Sequence, residues 1–139
     1  MDRRRPRNPP AQPLVLIVEG HEDTRAMYVS ALSAAGFDVV AIEDGRDAFL
    51  RAWEIHPDII VVDLPLPGEG WQILESFKQN PRTRDIPIVA MIGYVQRSAE
   101  ERVEGEGLAP LFPKHCLPNE LALSLRRVLD RNLHVHLGE

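Results

Sequence analysis

Five short apolar runs, each set off from the next by an amphipathic or polar stretch, constrain this chain more than any other feature. Leu14-Val15-Leu16-Ile17-Val18 is a continuous, largely β-branched run, the pattern of a strand covered on both faces. In Glu22–Ala35, the residues Ala26, Met27, Val29, Leu32 and Ala35 fall mainly at helical spacing, and Gly36 stands where a helix ends. Phe37–Ile42 reads as a second strand. Asp44 is placed to cap a helix running to about His56, which Pro57 blocks. Ile59–Val62 is the third strand and runs into Asp63. The Pro/Gly-rich segment Leu64–Gly70 leads to a helix from Trp71 to about Gln79, stopped by Asn80-Pro81. Ile86–Ile92 is the fourth strand, Val95–Glu104 a weak, highly charged helix, and Leu111-Phe112 a short fifth strand. A last helix, Leu121–Leu133, carries an apolar stripe of Leu121, Leu125, Val128 and Leu129.

Strands alternating with helices imply an α/β fold: a parallel sheet with helices on both faces and right-handed crossovers. Ligands in such folds gather at the carboxyl ends of the strands. The positions just after Val18, Val62, Met91 and Pro113 are therefore the ones to search. Glu19 follows the first strand, Asp63 ends the third and Lys114 follows the fifth. A lone acid at a strand end is commonly a cap or turn residue. Two carboxylates and an ammonium at equivalent strand ends are different, because groups buried near one another need mutual compensation.

Length and charge narrow the function classes. A chain of 139 residues fits one domain with a real core. The single cysteine, Cys116, excludes an internal disulfide and points to a reducing, cytoplasmic setting. The basic opening Met1–Arg7 is followed by no apolar segment, and no run approaches a membrane span, so neither a signal peptide nor a transmembrane helix is expected. Residues 1–13 hold four arginines against one aspartate, so the net charge of −5 leaves −8 on the remainder. An acidic body argues against nucleic acid as the main partner. The expected organisation is a disordered, basic, Pro-rich leader over 1–13, a folded domain over 14–133 and a flexible tail over 134–139.

The segments Val15–Glu19, Pro57–Gly68 and Phe112-Pro113-Lys114, together with Ile86–Ala90, resemble the signature segments of response-regulator receiver domains of two-component signalling. The resemblance covers residue 14 to about residue 130. It implies a flavodoxin-like (βα)5 doubly wound sheet of strand order 2-1-3-4-5, phosphorylated on an aspartate by a histidine kinase with Mg2+ as cofactor. By this resemblance Asp63 is the phospho-acceptor, Glu19 half of a metal-binding acidic pair, and Lys114 the phosphoryl contact. Pro65 stands where a backbone carbonyl ligates the metal, and proline keeps its carbonyl. The chemistry needs little more: a carboxylate oxygen attacks phosphorus while the cations neutralise the phosphoryl oxygens.

The pattern breaks at several places in the same site. Gly20 replaces the second acid of the pair, so Glu19, Asp63 and Lys114 sum to −1 instead of −2, and Mg2+ is expected to bind weakly. Glu22 and Asp23 are read as serving the helix dipole instead of replacing that acid. Ile92 stands where the family places a Thr or Ser that senses the phosphoryl group. Leu111 stands where it places a Tyr or Phe that swings on activation. Lys114-His115 replaces a Lys-Pro pair joined by a cis bond. The segment Pro67–Trp71 is one residue shorter than usual. His21 and His115 are read as ordinary surface-proximal histidines, His134 and His136 as part of the tail, Trp53 and Trp71 as packing residues and Cys116 as a bystander.

The expected function is phosphorelay signal transduction by protein–protein interaction, through a receiver whose metal-binding and switch residues are impaired. Partners would be a sensor histidine kinase or another signalling protein. A second copy is also expected to dock, through the last two helices and the fifth strand, with Arg126, Arg127 and Arg131 on the outer face. No enzyme activity is expected beyond self-phosphorylation of Asp63 from a phosphodonor. An orthodox phosphorylatable single-domain receiver is the alternative. A small flavodoxin-like enzyme is a remote one, for the sequence has no Gly-rich phosphate loop after the first strand and no nucleophile–base pair.

Overall fold

Strand pairing in the computed structural model, which describes residues 12–63, 69–92, 111–113 and 118–136, gives one parallel sheet. Its strands are β1 (Leu14–Val18), β2 (Asp38–Ile42), β3 (Ile59–Asp63), β4 (Ile88–Ile92) and β5 (Leu111–Pro113), in the order β2-β1-β3-β4-β5. The described helices are α1 (Glu22–Ala34), α2 (Ala48–Ile55), α3 (Glu69–Gln79) and the C-terminal α4 (Pro118–His136). The α/β class and the strand order are those expected from the sequence. The expected helix Val95–Glu104 lies outside the described residues, as do Pro65, Lys114, His115 and Cys116.

The period of two along each strand sorts the core into two layers. Leu16, Val18, Ile60, Val62, Ile88 and Ala90 meet Ala48 and Ala52 of α2 and Leu74 and Phe77 of α3. Val15, Ile17, Ile59, Val61, Val89 and Met91 meet Tyr28 and Leu32 of α1 and the Leu121–Val128 stripe of α4. Both faces are buried, which is why the strands read as unbroken apolar runs.

Helix ends explain most differences from the sequence reading. Asp44 does cap, accepting from the Arg46 N–H at 2.9 Å, but what it starts is a 3-10 turn over Gly45–Asp47 that hands over to α2. The α2 helix ends at Ile55, and His56 after it closes the helix in the left-handed conformation with φ 48°, its N–H on Ala52 O at 2.9 Å, before Pro57 bars continuation. The α3 helix begins at Glu69, two residues before Trp71. First-turn N–H groups need no intrahelical partner, and an acid there suits the dipole, so Glu69 and Gly70 enter the helix ahead of its first apolar residue. Strand β4 begins at Ile88, after Pro87. Pro13, assigned to the leader, is buried, and its carbonyl accepts from Asp38 N–H at 3.0 Å. His134 and His136, assigned to the tail, continue α4.

The end of α1 also engages α4. Phe37 N–H reaches Leu32 O at 3.1 Å and Gly36 N–H reaches Ser33 O at 3.2 Å, the paired bonds of a Schellman cap, with Gly36 at φ 96°. Arg126 closes over this turn. Its guanidinium donates to Ala35 O at 2.9 Å and lies 4.5 Å from the Phe37 ring centroid. Arg126 thus serves the α1–α4 junction, although its side chain is exposed. Trp53 is a packing residue as expected: its ring is 5.9 Å from Phe49 and carries the Arg82 guanidinium at 4.1 Å.

Candidate functional site

The strand register brings the two acids to one level of the sheet. Val18 of β1 pairs with Val62 of β3, so Glu19 and Asp63, the next residues, stand side by side at the carboxyl ends of adjacent strands. Adjacent strands lie about 4.8 Å apart. Alternation places Asp63 on the same sheet face as Ile59 and Val61, and carried one residue past β1 it places Glu19 on the face of Val15 and Ile17. Both acids therefore project toward the layer of α1 and α4. Neighbouring strands β1 and β3 connect in opposite directions across the sheet, which makes their mouth the switch point where open α/β sheets bind ligands.

Glu19 is 4% exposed, and a buried carboxylate must be hydrogen-bonded. His21 N–H donates to Glu19 Oε2 at 2.9 Å, a charge-assisted bond across the turn at Gly20. The main chain of Glu19 is held as well, with its N–H on Ile42 O at 3.0 Å. Its carbonyl accepts from Arg25 Nη1 at 3.0 Å. Asp63 is half-buried at the end of β3.

His21 has a structural task that the sequence reading left blank. It is the N-cap of α1, with Nδ1 3.4 Å from Thr24 N and 3.3 Å from Thr24 Oγ1. Among the described residues no group of three or more His, Cys, Asp and Glu side chains is assembled for a metal ion. Glu22 and Asp23 lie exposed in the first turn of α1, where carboxylates favour the dipole. In the loop after β2, the Arg46 side chain hydrogen-bonds Asp44, and with the Arg46 backbone N–H it holds the Asp44 carboxyl below the usual carboxylate range.

Gly20 leaves a space. A Cβ built there meets only Glu43 O at 3.7 Å, an ordinary contact, and Gly36 is the one glycine of positive φ among the described residues. Ile92 ends β4 opposite Pro113, and Leu111 begins β5 opposite Ala90. Arg25 and Glu43 went unnoticed in the sequence. Arg25 carries no local signal, since its short contact is with a main-chain oxygen, Glu19 O.

A family model described as the response regulator receiver domain matches residues 15–126. The polar-differentiation response regulator DivK of Brucella ovis is 30% identical over 101 residues, covering 72% of this chain and 82% of that protein. A crystal structure of a response regulator from Desulfuromonas acetoxidans is 26% identical, with TM-score 0.75 over 84% of this chain and 96% of that one. The signal receiver domain of a Luxo repressor protein from Vibrio parahaemolyticus shares the fold with TM-score 0.81 at 23% identity, covering 92% and 98%.

Proposed function

This chain belongs to the response-regulator receiver family of two-component signalling, and from that premise we infer that it is a phosphorelay receiver with a depleted phosphoryl site. The observation that carries the reading is the pair Glu19 and Asp63 at adjacent strand ends beside Gly20, where an added Cβ would make only an ordinary contact. Asp63 is the acceptor. One of its oxygens forms the bond to phosphorus as the bond between phosphorus and the donor breaks, leaving an acyl phosphate on Asp63. Lys114 contacts a phosphoryl oxygen.

The donor set suits Mg2+, a hard ion that takes oxygen ligands. Glu19, Asp63 and the Pro65 carbonyl would hold it, one carboxylate short of a full set, and it would supply charge neutralisation on the phosphoryl oxygens when bound. Glu19 already gives one oxygen to a backbone N–H, so its carboxylate is oriented before any ion arrives. The depleted set makes acceptance of phosphate slow. Ile92 offers no hydroxyl to the phosphoryl group and Leu111 no ring to swing, so phosphate changes the conformation little.

Signalling in the cytoplasm by docking to a histidine kinase or another signalling protein follows from this reading, with chemistry limited to modification of Asp63. Among the described residues no helix is long and apolar enough to cross a membrane. Of the three arginines assigned to the docking face of α4, Arg127 and Arg131 remain as candidates.

Intact-mass measurement tests the proposal. With a small phosphodonor and Mg2+, the chain gains phosphate slowly and to less than one equivalent, and Asp63→Asn gains none. Rapid, stoichiometric addition of one phosphate, abolished in Asp63→Asn, would make this an orthodox receiver instead.

A further inference from the structure

We infer that Arg25 is the positioning residue of the acidic end of this site: it fixes the turn that aims the Glu19 carboxylate. The bearing of this on metal binding rests on the function proposed above, whereas its bearing on the turn does not. The turn needs a brace. Gly20 follows Glu19, and glycine leaves the backbone its widest conformational range. The His21 N–H that orients Glu19 lies on the far side of that glycine. A rotation about the Gly20 dihedrals would carry the donor away and leave a buried carboxylate short of a bond.

Arg25 removes that freedom from the near side. Its Nη1 donates to Glu19 O at 3.0 Å. That oxygen shares a peptide plane with Gly20 N, so holding it sets the direction in which the chain enters the glycine. The second nitrogen, Nη2, is 3.9 Å from Glu43 Oε2 in the loop after β2. Glu19 N–H on Ile42 O joins the same two strand ends. One guanidinium thus spans the mouth of β1 and β2 from the first turns of α1, using the forked donors that lysine lacks.

The two contacts of Arg25 differ in weight. The Glu43 side chain is 72% exposed and its pairing long, and exposed ion pairs contribute little. The Arg25 side chain is 20% exposed and its bond to the Glu19 carbonyl is short and charge-assisted. The carbonyl bond is therefore the brace, and Glu43 only keeps the guanidinium at hand.

Amide hydrogen exchange followed by NMR on the full chain separates these roles. In Arg25→Met, exchange at His21 quickens about tenfold, the amount expected when a bond involving a charged group is lost, while Val61 in the core is unchanged. Arg25→Lys recovers part of the protection, and Glu43→Gln changes it less than twofold. A second arm titrates Mn2+ alone into Gly20→Asp and into Gly20→Asp/Arg25→Met, reading paramagnetic broadening at residues 19 and 63. The arginine variant binds about threefold to tenfold more weakly, because a misaimed ligand is a weaker one. Unchanged exchange at His21 in Arg25→Met overturns the inference. Equal acceleration at His21 and Val61 also overturns it, since Arg25 would then merely stabilise the fold. Should Gly20→Asp itself show no Mn2+ broadening at 19 and 63, the receiver-site reading fails, and the exchange arm still decides the role of Arg25.

Discussion

Gly20→Asp raises the affinity of this chain for Mg2+ about tenfold to a hundredfold and quickens phosphate incorporation at Asp63. A unit charge at about 4 Å interacts with another by about 1 kcal/mol even at the dielectric of bulk water, and with a divalent ion by about twice that. Each 1.4 kcal/mol is about tenfold in binding. The backbone accepts the change: the new Cβ meets only a carbonyl oxygen at 3.7 Å, and Gly20 is not among the residues of positive φ. The gain comes from charge and oxygen count, not from relief of strain. Calorimetric titration of Mg2+ into both proteins reads the first effect and intact mass with a phosphodonor the second. Equal affinities would mean that position 20 does not face the ion, and the account of the depleted site would fall with it.

Phe77→Ala costs about 3–5 kcal/mol, the usual range for deleting a fully buried aromatic ring. Phe77 is fully buried, and its ring centroid is 6.0 Å from that of Phe49. It lies in the layer of Ile60 and Val62, the residues of β3 that lead to Asp63. Its carbonyl also accepts from the buried Thr83 Oγ1 at 2.8 Å, so the end of α3 is tied to the loop before β4 through the same residue. For a domain of this size such a loss lowers the melting temperature by roughly 10–20 °C. Thermal denaturation followed by circular dichroism checks it, and a drop of only a few degrees would show that the α3 layer repacks around the cavity.

The sheet was legible because its strands are apolar on both faces and bounded by glycine, proline and charge. Leu14–Val18 and Ile59–Val62 admit few other structures once helical stretches lie between them. Strand order came from the resemblance, since alternation alone leaves the neighbours of β1 open. What stayed hidden depends on contacts distant in sequence or on helix termini. Nothing near Pro13 announces that its carbonyl will pair with Asp38, and nothing near Arg126 announces that it will cover the end of α1, 91 residues away. Helix starts were misplaced where the reading waited for an apolar residue, as at Glu69. At the site, Glu19, Gly20 and Asp63 were visible as strand-end residues. The brace from Arg25 was not, because its partner is a main-chain oxygen, which has no signature in sequence.

On the function proposed, the fold persists while the response to phosphate is lost. A ligand shifts a conformational equilibrium only by contacts that differ between the states. Restoring the acid at position 20 restores binding at the strand mouth and adds no contact at Ile92 or Leu111. Amide NMR spectra of Gly20→Asp, recorded with Mg2+ before and after adding beryllofluoride as a phosphoryl mimic, test this most directly. The predicted result is shifts confined to residues 18–22 and 61–63, spreading to the ends of β4 and β5 only when Ile92→Thr is added. Large shifts across β4 and β5 in Gly20→Asp alone would contradict the account, for the chain would then carry an intact switch that needs no hydroxyl at position 92.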